Sequence, residues 1–251
     1  MAAHLTQLEF DAVAFGYAKD PCESWSIGSQ CYIEPKYQII EKEHVFAKSW
    51  QFVCHEEALR NAGDYVAQEV AGQPIIVVRN IEGGLQAFYN VCKHRGHLLV
   101  KGQGNIKKIV CPYHAWNYDL KGQLLAAPRS KLVHNFDTQA VCLDQVQVEI
   151  FCHLVFVNLD TGAASLASQT GELATDIMAY APDLSKLTYA TRLSYRIKAN
   201  WKAVTDNFLE CYHCTTAHKD FVSLVDMQTY KVKTHGIYSS HMAKAMRTGN
   251  A

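Results

Sequence analysis

Two stretches decide how this chain reads: NVCKHRGHLL at residues 90–99 and VCPYHAWNYDLKGQL at residues 110–124. The first holds Cys92 and His94, the second Cys111 and His114, so each offers one thiol and one imidazole. Between Leu98 and Leu125 the chain is punctuated by glycine and carries no helical stripe, which predicts loops. The flanks predict strands. DYVAQEVAG (64–72) alternates with a period near two, QPIIVVRN (73–80) is a short apolar run, and LQAFYNVC (85–92) and HLVFVNLD (153–160) follow the same style. Together they describe a small β domain whose long loops present the Cys and His residues.

Nine cysteines and twelve histidines are many for 251 residues. Nine is odd, and the spacings do not form a secreted disulfide framework, so in a reducing compartment they point first to metal. A Rieske [2Fe–2S] centre needs two Cys on one iron and two His on the other, and Cys92, His94, Cys111 and His114 supply that set. A Cys2His2 zinc site uses the same ligand types, but its usual order places both Cys before both His. Here they alternate within strand and loop. Cys22, Cys31, Cys54, Cys142 and Cys152 lack metal-ligand spacing and read as inert thiols. His4, His44, His55, His134, His153, His235 and His241 read as surface or satisfied histidines.

A second constellation lies in NWKAVTDNFLECYHCTTAH, residues 200–218. Asn200 to Cys214 is expected to be helical, with Trp201, Val204, Phe208 and Cys211 as an apolar stripe. His213 and His218 are five residues apart, which on a regular α-helix turns their rings well away from each other. They can share one metal only if the helix breaks or ends between them. Glu210 lies three residues before His213 on the same face, and Asp206 one turn earlier.

The two opening stretches resemble the cluster-binding core of Rieske ring-hydroxylating oxygenase α subunits. DNFLECYHC, with VFAKSW, AFYN and CPYHAW, resembles the branch acting on quaternary ammonium compounds, such as carnitine monooxygenase. The resemblance implies a [2Fe–2S] cluster on Cys92, His94, Cys111 and His114, with His97 a supporting histidine. It implies that His213 and His218 are two ligands of a mononuclear Fe2+ whose third ligand is a carboxylate. It also implies that Glu210 bridges His114 of one subunit to His213 of the next, carrying electrons between the two centres. Two positions depart from the common pattern: Ala115 stands where Gly is usual, and Glu210 where many members have Asp. Ala115 is tolerable unless its backbone needs a positive φ.

The expected third ligand comes from a later element, and the chain ends thirty-three residues after His218. Asp220 and Asp226 lie in the wrong place for the pattern, so the chain is expected to be C-terminally truncated and to turn over poorly or not at all by itself. The expected fold class is α+β. Residues 1–48 form an arm packed on the catalytic part, 49–160 a Rieske domain, and 161–251 the first portion of a helix-on-sheet catalytic domain. Within the last part, 161–185 is a linker and a helix that Pro182 ends, and KLTYATRLSYRIKA (186–199) is a strand. EKEHVFAKS (41–49) has helical character.

The expected partners are a separate NAD(P)H-dependent reductase (with or without a ferredoxin), a small-molecule substrate, dioxygen and further copies in a homotrimer. Lys plus Arg equals Asp plus Glu at 24 each, which points away from nucleic acid or an acidic membrane. The chain start has no secretory pattern and no apolar run is long enough to span a bilayer, so the expected compartment is the cytoplasm. Three rival readings are an aromatic-ring hydroxylating oxygenase, an electron carrier with the cluster alone, and an inactive fragment.

Overall fold

The computed structural model describes residues 16–18, 20 and 22–246. The beginning of the expected arm, the reading of the chain start and the last five positions fall outside them. The described elements run α1 (Gln30–Ile33), α2 (Pro35–His44), β1 (Gln51–His55), β2 (Asp64–Val70), β3 (Gln73–Arg79), β4 (Leu85–Tyr89), β5 (Gln103–Asn105), β6 (Ile109–Val110), β7 (Asn117–Tyr118) and β8 (Leu124–Ala126). They continue with β9 (Gln145–Phe151), β10 (Leu154–Asn158), α3 (Leu166–Gln169), α4 (Leu173–Tyr180), α5 (Trp201–Leu209), α6 (Cys214–Ala217), α7 (Lys219–Leu224), β11 (Val225–His235) and β12 (Tyr238–Ala245). This is the expected α+β class.

Seven strands form one antiparallel sheet in the order β1-β10-β9-β4-β3-β2-β5. The apolar run of β3 lies inside it and is covered on both faces. Ile75 and Val77 point into a core with Val53, Leu59, Val155 and Val157, while Ile76 and Val78 point into a second core with Phe88, Ile109, Tyr118 and Leu124. That explains why β3 is continuously apolar while β2 alternates. The second core is shared with the small sheet β6-β7-β8 and includes Cys92 and Cys111. The cluster loops therefore stand on packed side chains. Gly122 is required here: its φ is +88°, and a Cβ would fall 2.6 Å from the Phe88 ring.

Residues between Tyr32 and Phe46 pack on α5. Trp201 Nε1 donates to Glu41 at 2.6 Å, Lys202 pairs with the same carboxylate, and the Phe46 and Trp201 rings meet edge to face at 4.9 Å. Tyr32 donates to Asp206 at 3.0 Å, and Asn200 donates to the Tyr32 carbonyl.

Three expectations need correction. Residues 186–199 carry no strand, because no described strand lies beside them to complete a ladder. The helix from Asn200 stops at Leu209, well short of Cys214. The helix near residue 41 begins earlier, with Pro35 at its first position, and ends at His44 before a short 3-10 turn over Phe46–Lys48. The sequence reading also passed over the β11–β12 hairpin.

Candidate cluster and metal centres

The four sequence-predicted cluster residues come together at two loop tips. In the first loop Cys92 N–H donates to the His97 carbonyl at 2.9 Å, and Gly96 N–H donates to the Cys92 carbonyl at 2.9 Å. The second loop repeats the pattern: Cys111 N–H donates to the Trp116 carbonyl at 2.8 Å, and Ala115 N–H to the Cys111 carbonyl at 3.0 Å. Both cysteines are buried, at 2% exposure each. Burial first, then the Cys111 neighbour, pushes the Cys92 thiol up. Above them the His94 and His114 rings lie 4.8 Å apart at 73°, His94 stacked on Trp116. Burial first, then the neighbours His94, Arg95 and His97, hold His114 below its usual value, which favours the neutral, ligating imidazole.

A thiol pair inside and an imidazole pair outside is the donor set of a [2Fe–2S] cluster with one buried and one outward-facing iron. The site also carries a donor for the sulfur. Tyr118, fully buried, accepts from Lys93 N–H at 3.1 Å, so its own O–H is left to face Cys92 Sγ at 3.3 Å. His97 is held differently, its Nδ1 within 2.6 Å of the Leu98 carbonyl.

The second centre depends on a break in the chain. After Leu209, Glu210 is extended (φ −129°, ψ 165°), and Cys214 N–H closes a turn on the Cys211 carbonyl. One short helix follows, and His218 ends it at φ −121°, ψ 61°. These breaks bring His213 Nε2 to 3.2 Å from His218 Nε2, with the rings at 73°. Two imidazoles bound side by side to one ion at ~2.1 Å place their nitrogens about 3 Å apart, so the pair fits an octahedral metal. On the far side of the ring His213 Nδ1–H donates to Glu210 at 2.5 Å. That bond and the Tyr212 N–H hold the Glu210 carboxyl below its usual value. Glu210 thus orients the ring from behind, and leaves Nε2 for a ligand.

Among the described residues no third His, Cys, Asp or Glu joins either converging pair to make a single-ion site of three. Asp226 instead caps its own turn through Gln228 N–H. No hydrogen bond or ring contact among the described residues joins the cluster loops to His213 and His218.

The sequence reading missed one feature here: Cys211 and Cys214 form a disulfide around His213, while the other seven cysteines are free. Its signal was the C-x-x-C spacing, read only as part of a helix.

Residues 49–137 match the Rieske [2Fe-2S] domain family, and residues 184–250 match the ring hydroxylating alpha subunit catalytic domain. The fold and site thus define a Rieske-type iron protein, and the chain belongs to the Rieske non-haem iron oxygenase family, that of ring-hydroxylating α subunits. The cofactors of these two domains are a [2Fe–2S] cluster and a mononuclear iron. The chain is 41% identical over 221 residues to the carnitine monooxygenase oxygenase subunit of Escherichia coli K12, covering 88% of this chain and 59% of that protein. It is 32% identical to the chloroplastic choline monooxygenase of Arabidopsis thaliana, covering 88% and 54%. A crystal structure of the quaternary ammonium Rieske monooxygenase CntA with gamma-butyrobetaine superposes with a TM-score of 0.81 at 34% identity, covering 94% of this chain and 65% of that one. The chain therefore spans about half to three fifths of the length of the curated relatives it matches. No described helix is long and apolar enough to cross a membrane.

Proposed function

We propose that this chain belongs to the oxygenase component of an enzyme that uses dioxygen and electrons from a separate NAD(P)H-dependent reductase to oxidise a quaternary ammonium compound. The observation that carries the reading is the facing pair His213 Nε2 and His218 Nε2, backed by Glu210, in a chain that also presents Cys92, Cys111, His94 and His114 at two loop tips. The activities for which the carnitine, choline and glycine betaine monooxygenase relatives are named support the substrate class.

In this reading residues 49–160 form the Rieske domain, 161–251 the first part of the catalytic domain, and 1–48 the arm. Cys92 and Cys111 hold the inner iron of the cluster, and His94 and His114 the outer one. His213 and His218 hold the mononuclear iron through Nε2, and a carboxylate beyond them completes the triad. The cluster supplies single electrons, and the mononuclear iron binds dioxygen in its open positions. Glu210 links the centres across a subunit boundary in a homotrimer. It accepts from His213 on its own chain, and its 44%-exposed side chain leaves room to accept from His114 of a neighbour. A structure of CntA is described as giving insight into inter-subunit electron transfer, which supports this arrangement. Hydroxylation next to nitrogen would lead to C–N cleavage or N-demethylation. A cytoplasmic location fits the reductase.

The test combines metal content and turnover. The full-length protein should hold three irons per chain and a Rieske electron paramagnetic resonance signal. With reductase, NAD(P)H and oxygen it should consume oxygen when offered a quaternary ammonium substrate. Two irons with no substrate-dependent oxygen uptake would leave an electron carrier. Stoichiometric zinc in place of iron would remove the reading.

A further inference from the structure

The turn that aims His213 at His218 is closed covalently. Cys211 and Cys214, whose Cα atoms are 5.0 Å apart, are disulfide-bonded around Tyr212 and His213. The chain has nine cysteines and seven are free, so this bond belongs to no framework of disulfides. It ties Cys211, in the turn after the helix that ends at Leu209, to Cys214, the first residue of the next helix. Cys214 is buried at 5% exposure, whereas Cys211 is partly open to solvent and offers a sulfur to an incoming thiolate.

We infer that Cys211 and Cys214 are positioning residues: a reversible dithiol–disulfide pair whose oxidation state sets how firmly the His213 turn is held for its metal. The inference rests on the reading of His213 and His218 as metal ligands. In a reducing compartment, which the proposed reductase partner implies, disulfides are usually transient and catalytic or redox-sensing rather than structural. The exchange is balanced with a small-molecule disulfide such as oxidised glutathione. The two Cys thiols lose two electrons and two protons and form one S–S bond, and the reagent's S–S bond breaks to give two thiols. The reverse step uses two reduced thiols. With the bond closed, the turn needs no ordering when the metal binds. With it open, hydrogen bonds alone restrain His213: Cys214 N–H to the Cys211 carbonyl, the two donors to Glu210, and those its own carbonyl accepts from Thr216 and Ala217. Preorganisation of this kind acts mainly on dissociation.

The experiment equilibrates the full-length protein, reconstituted with Fe(II), in glutathione buffers of graded redox poise under argon. Alkylation and mass spectrometry read the state of Cys211 and Cys214. A chromogenic Fe(II) chelator reads the release rate, while the cluster's visible absorption confirms that the cluster stays intact. The expected result is a release about five- to tenfold slower in the disulfide form than in the dithiol form, reversible with poise. Cys211→Ser and Cys211→Ser/Cys214→Ser should release at the dithiol rate at every poise. Equal release rates in the two states, or no disulfide at any poise, would overturn the inference. His213→Ala is the control for the underlying reading: if it loses no iron relative to the parent, the metal site itself is misassigned, whatever the thiols do.

Discussion

Gly96 and Ala115 occupy the same place in two copies of one loop. Each donates its backbone N–H to the carbonyl of the cysteine four residues before it, and each sits at positive φ, +69° and +58°. The first loop meets this left-handed geometry with the residue that adopts it freely. The second meets it with an alanine, whose Cβ crowds the following carbonyl. The sequence condition on Ala115 is therefore met in the unfavourable sense: the backbone there does need a positive φ.

Ala115→Gly should stabilise the Rieske domain by about 1 kcal/mol, because strain at left-handed alanine outweighs the added freedom of the unfolded chain. Gly96→Ala should cost a similar amount. Urea unfolding of the cluster-loaded protein checks both. A lower midpoint for Ala115→Gly would mean that the loop relaxes around the methyl group.

Tyr118→Phe removes the donor facing Cys92 Sγ and the acceptor for Lys93 N–H. A hydrogen bond to a cluster sulfur favours the more negative, reduced cluster. The variant should keep its Rieske spectrum while its reduction equilibrium shifts about tenfold toward the oxidised form, ~59 mV for one electron. Mediated redox titration is the measurement. An unchanged potential would mean that the O–H points elsewhere.

Glu210→Gln in the full-length protein should leave both iron centres largely occupied while slowing electron transfer between them by orders of magnitude, on the bridging reading. An amide can accept with its oxygen, but its NH2 end faces a donor. Glu210→Asp should be milder. Single-turnover oxidation of the pre-reduced cluster reads the effect, and loss of the mononuclear iron would make Glu210 a ligand. The pH dependence has a defined sign. The Glu210 carboxyl is lowered by His213 and Tyr212. Its stabilising contacts are therefore complete above the ordinary carboxyl value of about 4.3 and fade only as pH falls through the lower folded value. Transfer between pH 6 and 8 should not track this group.

Glu41→Ala should destabilise the docking of α2 on α5 by about 3–5 kcal/mol. Glu41 and Lys202 side chains are only 14% and 11% exposed, and Trp201 Nε1 shares the carboxylate. Removing the acid strands a covered ammonium. Glu41→Leu with Lys202→Met should recover most of the loss. If the double variant is as unstable as Glu41→Ala, the Trp201 hydrogen bond carries the contact instead.

What the sequence determined by itself was local and chemical. The alternation of Cys and His at 92, 94, 111 and 114 named a candidate cluster set, and the apolar run of β3 and the alternation of β2 named the strands beneath it. The five-residue gap from His213 to His218 already required a broken helix, because residue spacing on a helix is a property of the helix itself. Where the break falls was decided only in three dimensions, at Glu210, where the turn and the Glu210–His213 bond replace helix hydrogen bonds. The same holds for residues 186–199. Their alternation is written locally, but a strand exists only when a neighbour supplies its ladder, and none does among the described residues. The conformation of Ala115, the pairing of Cys211 with Cys214 and the approach of Tyr118 to Cys92 belong to the tertiary structure too. Each depends on how backbone segments are folded onto one another, and composition and periodicity carry no term for that.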